Sequence, residues 1–381
     1  MFKLLFILLV VSESYEKEVI VSTKNGLIKG QTVQFNNKKI NVFNSIRYGE
    51  PPVGPLRFKK SVPSGKWTGI QDARNESKIC LQQTGIKYGR EISEDCLFLS
   101  IWSTSLDTKS PKAVMLWIFG GAWIFGAGMD QDDGLTLASL DVVVVSVNFR
   151  VGMMGLLYGG NDEAPGNAMM HDQVLAMKWV QENIHSFGGD PSRVTIFGIS
   201  SGGMSIGLHV VSPLSKGLFK RAIMMSGSPY TYDDSMVDLA QELERAKNFS
   251  ITMNCTVNET DQWIECLKKV DAEVLASSTD FIKFNKPIFG DDFYPESAVK
   301  LVNKGNFNSD VDLMGGVCAN ETAMIGMLLF QTSKSRFRSL LPNLLVGENF
   351  NYSEIFQYYA GNLDQNDYEG IQRAYGQMQG D

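Results

Sequence analysis

The chain has 381 residues, 44% of them apolar, and 35 basic against 42 acidic side chains give a net charge of -7. That much apolar content can bury a large core, which excludes a disordered tail. No Lys/Arg cluster is dense enough to form a phosphate-backbone footprint, so nucleic acid is excluded as a partner. From the N-terminus, MFKLLFILLVVSES (1–14) places a lysine before an apolar run from Leu4 to Val11 and ends in the small-x-small triplet Ser12-Glu13-Ser14. This is the pattern of a short secretion signal. The run is too short to span a bilayer and no later stretch reaches about 18 apolar residues, so no transmembrane segment is expected. The remaining domain is expected over residues 15–381.

Val19 to Val33 alternates around Asn25-Gly26, which predicts a β-hairpin, and Ile40 to Tyr48 adds a further strand-like run. From Leu97 the pattern changes. LFLSIW (97–102) is followed by AVMLWIF (113–119), VVVVSVNF (142–149), VTIFGIS (194–200) and AIMMSG (222–227). The last four are near-continuous apolar runs, as strands buried on both faces require. Helical periodicity lies between them, most clearly over Ala168 to Ser186, where Leu175, Trp179 or Val180, and Ile184 share one side and Gly188-Gly189 marks the stop. Strand and helix alternate, which predicts an α/β sheet. Met236 to Lys269 reads as polar and helical, Ser297 to Val302 as a helix, and Val311 to Val317 as one more buried strand. Residues 323 to 381 look helical and aromatic; no repeat, low-complexity linker or domain boundary stands out.

Five cysteines suit an oxidising compartment, although the number is odd. Cys80 and Cys96 enclose 15 residues and Cys255 and Cys266 enclose 10, so two local loops can be stapled, with Cys318 left over. Sequons at Asn75, Asn248, Asn254, Asn258, Asn320 and Asn351 are candidate glycan sites on surface loops. Three of them between Asn248 and Asn258 point to an exposed excursion there.

Gly198-x-Ser200-x-Gly202 follows a strand and opens a helix, the context in which a nucleophile elbow forms. Such a turn lifts the Ser200 hydroxyl to the carboxyl end of the sheet and turns the Ser201 N–H toward a developing oxyanion. Phe119-Gly120-Gly121-Ala122-Trp123, directly after the AVMLWIF strand, sits where an α/β-hydrolase supplies its other oxyanion donors. With these pieces the sequence resembles the type B carboxylesterases, the family that includes the cholinesterases, from about residue 19 to about residue 330. IRYGEPPVGPLRF (46–58) resembles the family's N-terminal signature and Ser93-Glu94-Asp95-Cys96-Leu97 its cysteine-centred one; 164–191, 194–203, 219–229 and 287–321 resemble its later segments. The resemblance implies an α/β-hydrolase with a mostly parallel central sheet, an antiparallel N-terminal part and helices on both faces. It pairs Cys80 with Cys96, Cys255 with Cys266, Arg57 with Glu94 and Arg150 with Asp172, all as scaffolding.

The family orders its triad serine, acid, histidine. Ser200 takes the first place, and Glu321, after the strand-like Gly316-Val317-Cys318, takes the second, which makes neighbouring Asn320 a poor glycan acceptor. The base has no obvious occupant. His171, His185 and His209 all precede Glu321, and His209 lies nine positions beyond Ser200, about 13 Å along a helix. The expectation is therefore a chain that stops before the family's histidine, last strand and final helix, and is itself a poor hydrolase; the alternative is a catalytically silent binding or adhesion module of the same fold. Three departures bear on the site: Ile199 replaces the acid usual before the nucleophile, Phe119 a histidine or tyrosine, and Ala122 the third glycine. The implied reaction is acyl transfer from a carboxylic ester to water, with Gly121, Ala122 and Ser201 N–H groups as the oxyanion hole and no metal or organic cofactor. The loop from Cys80 to Cys96 has no tryptophan to stack on a quaternary ammonium, Tyr88 being a weak substitute, so small-molecule or lipid-like esters are expected before choline esters. The compartment expected is extracellular.

Overall fold

A computed structural model describes residues 17–83, 89–129, 131–231, 238–256, 262–318 and 351–367, with residues 334, 335, 338, 370, 371 and 374. The chain divides into two compact units, Met1–Met314 and Gly315–Asp381.

The first unit begins with an antiparallel ribbon, as the alternating pattern predicts. β1 (Lys17–Ser22) and β2 (Leu27–Phe35) are joined by a turn closed by the Thr23 N–H on the Gly26 carbonyl. β2 meets β3 (Lys38–Arg47) through Asn36-Asn37, both at positive φ, the conformation that a tight two-residue hairpin demands and asparagine tolerates. β4 (Ile70–Asp72) lies parallel to β2, and β5 (Ile79–Cys80) and β6 (Ile92–Ser93) make a separate ribbon. β7 (Phe98–Ser103) then pairs antiparallel with both β3 and β9 (Val143–Val147), linking the ribbon to the core of the sheet. There β8 (Lys112–Ile118), β9, β12 (Gly189–Ile199) and β13 (Arg221–Met225) are parallel. The sheet runs β1-β2-β3-β7-β9-β8-β12-β13-β14, β14 being Asp312–Gly316. The short β10 (Tyr158–Asn161) and β11 (Ala164–Pro165) pair with each other.

Helices fill the connections: α1 (Gln131–Ala138), α2 (Met153–Leu156), α3 (Ala168–Asn183), α4 (Ser201–Val211), α5 (Leu239–Thr252), α6 (Gln262–Leu267), α7 (Ala272–Ser277) and α8 (Ala298–Asn303). α3 ends as the sequence suggests. A short 3₁₀ turn follows and Gly188 caps it at φ +76, against the Ser105 carbonyl, where a Cβ would sit 2.0 Å from oxygen. Its burial differs from expectation: not one stripe but nearly every residue is inside, including Asp172, because α3 is a core helix. Asp172 is tolerated there because Arg150 meets it through two N–H groups, Nε at 2.8 Å and Nη2 at 2.7 Å. Arg57 and Glu94 form a similar fork at 2.6 Å.

The four apolar runs are not all buried on both faces. β9 is covered throughout; β8 alternates buried with half-buried residues, and β13 is mostly half-buried. β14 stands at the end of the sheet with all five residues exposed, so the expectation of a buried strand fails there. An apolar run states which residues tolerate burial, not what packs over them. Both disulfides form, Cys80–Cys96 and Cys255–Cys266, and Cys318 is exposed outside either. Asn75, Asn254 and Asn351 are exposed in turns or at a helix cap, but Asn248 lies on the outer face of α5, not in a loop, with Ser250 of its sequon buried; Asn258 and Asn320 lie outside the described residues. In the second unit α9 (Tyr352–Ala360) packs Phe356 and Ala360 against Ile371 and Ala374. No helix among the described residues is long and apolar enough to cross a membrane.

Candidate active site

β12 ends at Ile199 and α4 begins at Ser201, so a single residue, Ser200, makes the whole turn between strand and helix. It does so at φ +55, ψ -127, a conformation a side chain adopts only under constraint, at a cost of about 1–3 kcal/mol. The constraint is main chain packed on main chain. A Cβ on Gly198 would lie 2.5 Å from the Ile118 carbonyl oxygen and one on Gly202 would lie 2.3 Å from it. On the other side, a Cβ on Gly203 would lie 2.8 Å from the Met225 carbonyl oxygen and one on Gly227 2.5 Å from that of Ser200. The Ser200 N–H donates to Met225 O and its carbonyl accepts from Met204 N–H, both at 2.9 Å. Its backbone is thus fully engaged, while its hydroxyl, on an exposed residue, makes no hydrogen bond among the described residues.

The loop after β8 lies directly against this turn. A Cβ on Gly120 would come within 2.4 Å of Ile199 O and 3.2 Å of Ser200 Cβ. Gly121, Ala122 and Trp123 follow at φ +127, +54 and +58, three successive residues in the region that L side chains avoid. Gly121 has no alternative, since a Cβ there would meet Phe125 O at 2.1 Å. Ala122 accepts the strain in the place of a third glycine. The Gly121 carbonyl receives the N–H groups of Ile124 (3.0 Å) and Phe125 (3.2 Å). Carbonyl and N–H point opposite ways across a trans peptide, so the Ala122 N–H faces away from that small turn. Gly121, Ala122 and Ser201 donate no backbone hydrogen bond among the described residues, although Ser201 is buried. A buried N–H left without an acceptor costs about 1–3 kcal/mol.

The sequence does not announce how this loop is held. The Trp123 N–H donates to Ser201 Oγ (3.2 Å), its indole N–H donates to Ser205 Oγ (2.8 Å), and its carbonyl accepts from Gly152 N–H (2.6 Å). The signal available beforehand is faint: Ser201 and Ser205 are one helical turn apart in the otherwise apolar SGGMSIGLHVV. Phe119, buried, stacks on Phe149 with ring centres 3.9 Å apart. Trp123, Met204, Leu208, Pro229, Pro287 and Tyr294 line a small apolar hollow beside α4. Two roomier clefts, of about 410 and 340 Å³, lie elsewhere, along α5 and between the end of α4 and the loop after α8.

The three histidines are engaged in other ways. His209 is fully buried in the last turn of α4, with Nδ1 2.8 Å from Ser215 Oγ and Nε2 2.9 Å from Gln173 Oε1; burial pushes its ring down to about 3, so it is neutral at pH 7. His171 Nε2 is 3.4 Å from Asp291 and 3.5 Å from Asp292. His185 is exposed just before β12, and the eleven residues of that strand separate it from Ser200. Glu321 lies outside the described residues. Ser200, Ser201, Gly121 and Ala122 are therefore brought together, and no histidine is seen to join them.

Comparison with known proteins bears on the reading of this site. The model of the carboxylesterase family matches residues 17–381. The acetylcholinesterase of Danio rerio is 36% identical over 323 residues, which cover 79% of this chain and 51% of that protein. The chain thus spans about half the length of that relative.

Proposed function

The chain belongs to the carboxylesterase family, and from that membership we propose that it acts on carboxylic esters with Ser200 as the nucleophile. The observation that carries the proposal is the set of backbone donors left unspent beside Ser200. Its Oγ bonds to the ester carbonyl carbon, the carbonyl oxygen takes negative charge among the Gly121, Ala122 and Ser201 N–H groups, and the alcohol departs with the serine proton; water then releases the acid. The N-terminus of α4 adds its partial positive charge to the same point. Glu321 is the acid the resemblance assigns, and the base is none of the three histidines. A site with its hole but no base retains about 10³ to 10⁴ over water, so slow turnover is the expected behaviour.

Substrates are small-molecule or lipid-like esters. A quaternary ammonium is not proposed, because residues 81–95 contain no tryptophan to stack on it. The two disulfides suit an oxidising, extracellular setting, with glycans on the exposed Asn75, Asn248, Asn254 and Asn351. A second reading, a binding module without catalysis, draws on the engagement of His171 and His209 elsewhere and on Ile199 in place of an acid. One experiment separates the two: the chain and its Ser200→Ala variant are incubated with nitrophenyl acetate, and both hydrolysis and peptide masses are followed. Acetyl on Ser200, with slow turnover lost in the variant, supports the ester reading. An unmodified Ser200 and equal rates would transfer the argument to the binding module, and fast Ser200-dependent turnover would mean that a histidine is the base after all.

A further inference from the structure

Three consecutive residues in a disfavoured backbone region do not hold themselves, and Trp123 is the least suited of the three, being bulky at φ +58. Every polar atom it has is nonetheless bonded: N–H to Ser201 Oγ, indole N–H to Ser205 Oγ, and carbonyl to the Gly152 N–H. Ser205 Oγ in turn donates to the Ser201 carbonyl at 2.9 Å, so the two serines form one unit on α4. Both are buried, as is Trp123. From this we infer that Ser201 and Ser205 are positioning residues. They clamp Trp123 to the first turns of α4 and so hold the N–H groups of Gly121 and Ala122, two and one residues upstream, in register with Ser200.

The inference rests on the ester-hydrolysis reading for its catalytic meaning, but its geometry stands apart from it. Ser201 has two separate tasks. Its own N–H is one of the hole's proposed donors, whereas its hydroxyl oxygen accepts the Trp123 N–H. Removing the hydroxyl leaves the backbone donor in place and loosens only the opposite wall. The clamp also differs from an ordinary core contact in direction, since it joins the loop after β8 to the helix after β12 without passing through either strand.

The test uses Ser201→Ala, Ser205→Ala and Ser201→Thr in the full chain, with two readouts. The first is the rate constant for acetylation of Ser200 by nitrophenyl acetate, resolved into kcat and KM. Ser201→Ala and Ser205→Ala should lower kcat by about 10-fold or more with KM little changed, because small misplacements of catalytic groups are expensive; Ser201→Thr, which restores a hydroxyl, should recover most of it. The second is hydrogen exchange at Trp123, at the backbone amide in Ser201→Ala and at the indole in Ser205→Ala, where protection should be lost. Unchanged kcat in both alanine variants, with Ser200 acetylated as in the parent, would overturn the inference. If the parent shows no acetyl-Ser200, the ester reading is what has failed. The exchange readout then decides the clamp by itself: lost protection upholds it, and unchanged protection at both positions overturns it.

Discussion

Lowering the pH from 7 to 5 should remove about 2 kcal/mol of stability through one side chain, His209. Its ring is enclosed, edge-on to Phe293 at 5.2 Å, and its only polar partners among the described residues are the neutral Ser215 and Gln173. With Gln173 accepting through its carbonyl oxygen, Nε2 carries the proton and Nδ1 accepts from the Ser215 hydroxyl, leaving no place for a second proton or its charge. Burial therefore depresses the folded-state value to about 3, against about 6.5 in the unfolded chain. As pH falls the unfolded chain binds the proton first. The contribution is complete above about pH 6.5, declines through the window between the two values, and is lost by about pH 3. At pH 5 the deficit is about 1.5 units at 1.36 kcal/mol each, and it depends little on the folded value so long as that stays well below 5. Other groups titrate over the same range, so the measurement is a difference: urea unfolding at pH 7 and pH 5 for the parent and for His209→Gln. The variant should lose about 2 kcal/mol less than the parent between the two pH values. Equal losses would show that the buried imidazole is not what couples this fold to acid.

Arg150→Met should destabilise by about 3–5 kcal/mol, since it strands the fully buried Asp172 carboxylate; unfolding of Arg150→Met/Asp172→Leu should recover much of that, and a harmless single change would refute the pairing argument. Gly202→Ala places a Cβ 2.3 Å from Ile118 O and 2.7 Å from Phe119 O, main-chain atoms that cannot swing aside, so thermal unfolding should come several degrees earlier. Cys255→Ser/Cys266→Ser should cost roughly 2–4 kcal/mol in denaturant, and non-reducing peptide maps of the parent should show only the two local pairs among these four cysteines.

What the sequence makes readable depends on how local the cause is. The hairpin at Asn25-Gly26, the stop at Gly188 and the elbow at Gly198-x-Ser200-x-Gly202 are each fixed by residues within a few positions, and each forms where expected. The placement of Gly120 against Ile199 is also foreseeable, because the loop after β8 and the end of β12 are strand ends side by side in the sheet. His209 is different. In sequence it is a histidine in an apolar helix, and its neutrality follows only once the ring is seen enclosed, with Gln173, 36 positions earlier, against it. Ser205 is equally mute until Trp123 arrives from a separate loop 82 positions away. The exposed β14 marks the same limit from the other side, since apolar Leu313 and Met314 carry no record of what, if anything, packs over them.

The turn at Ser200 is braced entirely by glycines, carbonyls and N–H groups, and the serine hydroxyl takes no part in the bracing. Chemistry and architecture are therefore separable at this position, and selection on one places no brake on the other. A lineage that exchanged Ser200 for alanine would keep the elbow, the neighbouring loop and the surface they shape, with no structural penalty to repair. Under the proposed role of Ser200 as nucleophile, catalysis would lapse here in one step and return in one step. That reversibility makes such a scaffold a natural source of recognition proteins that still carry an enzyme's outline.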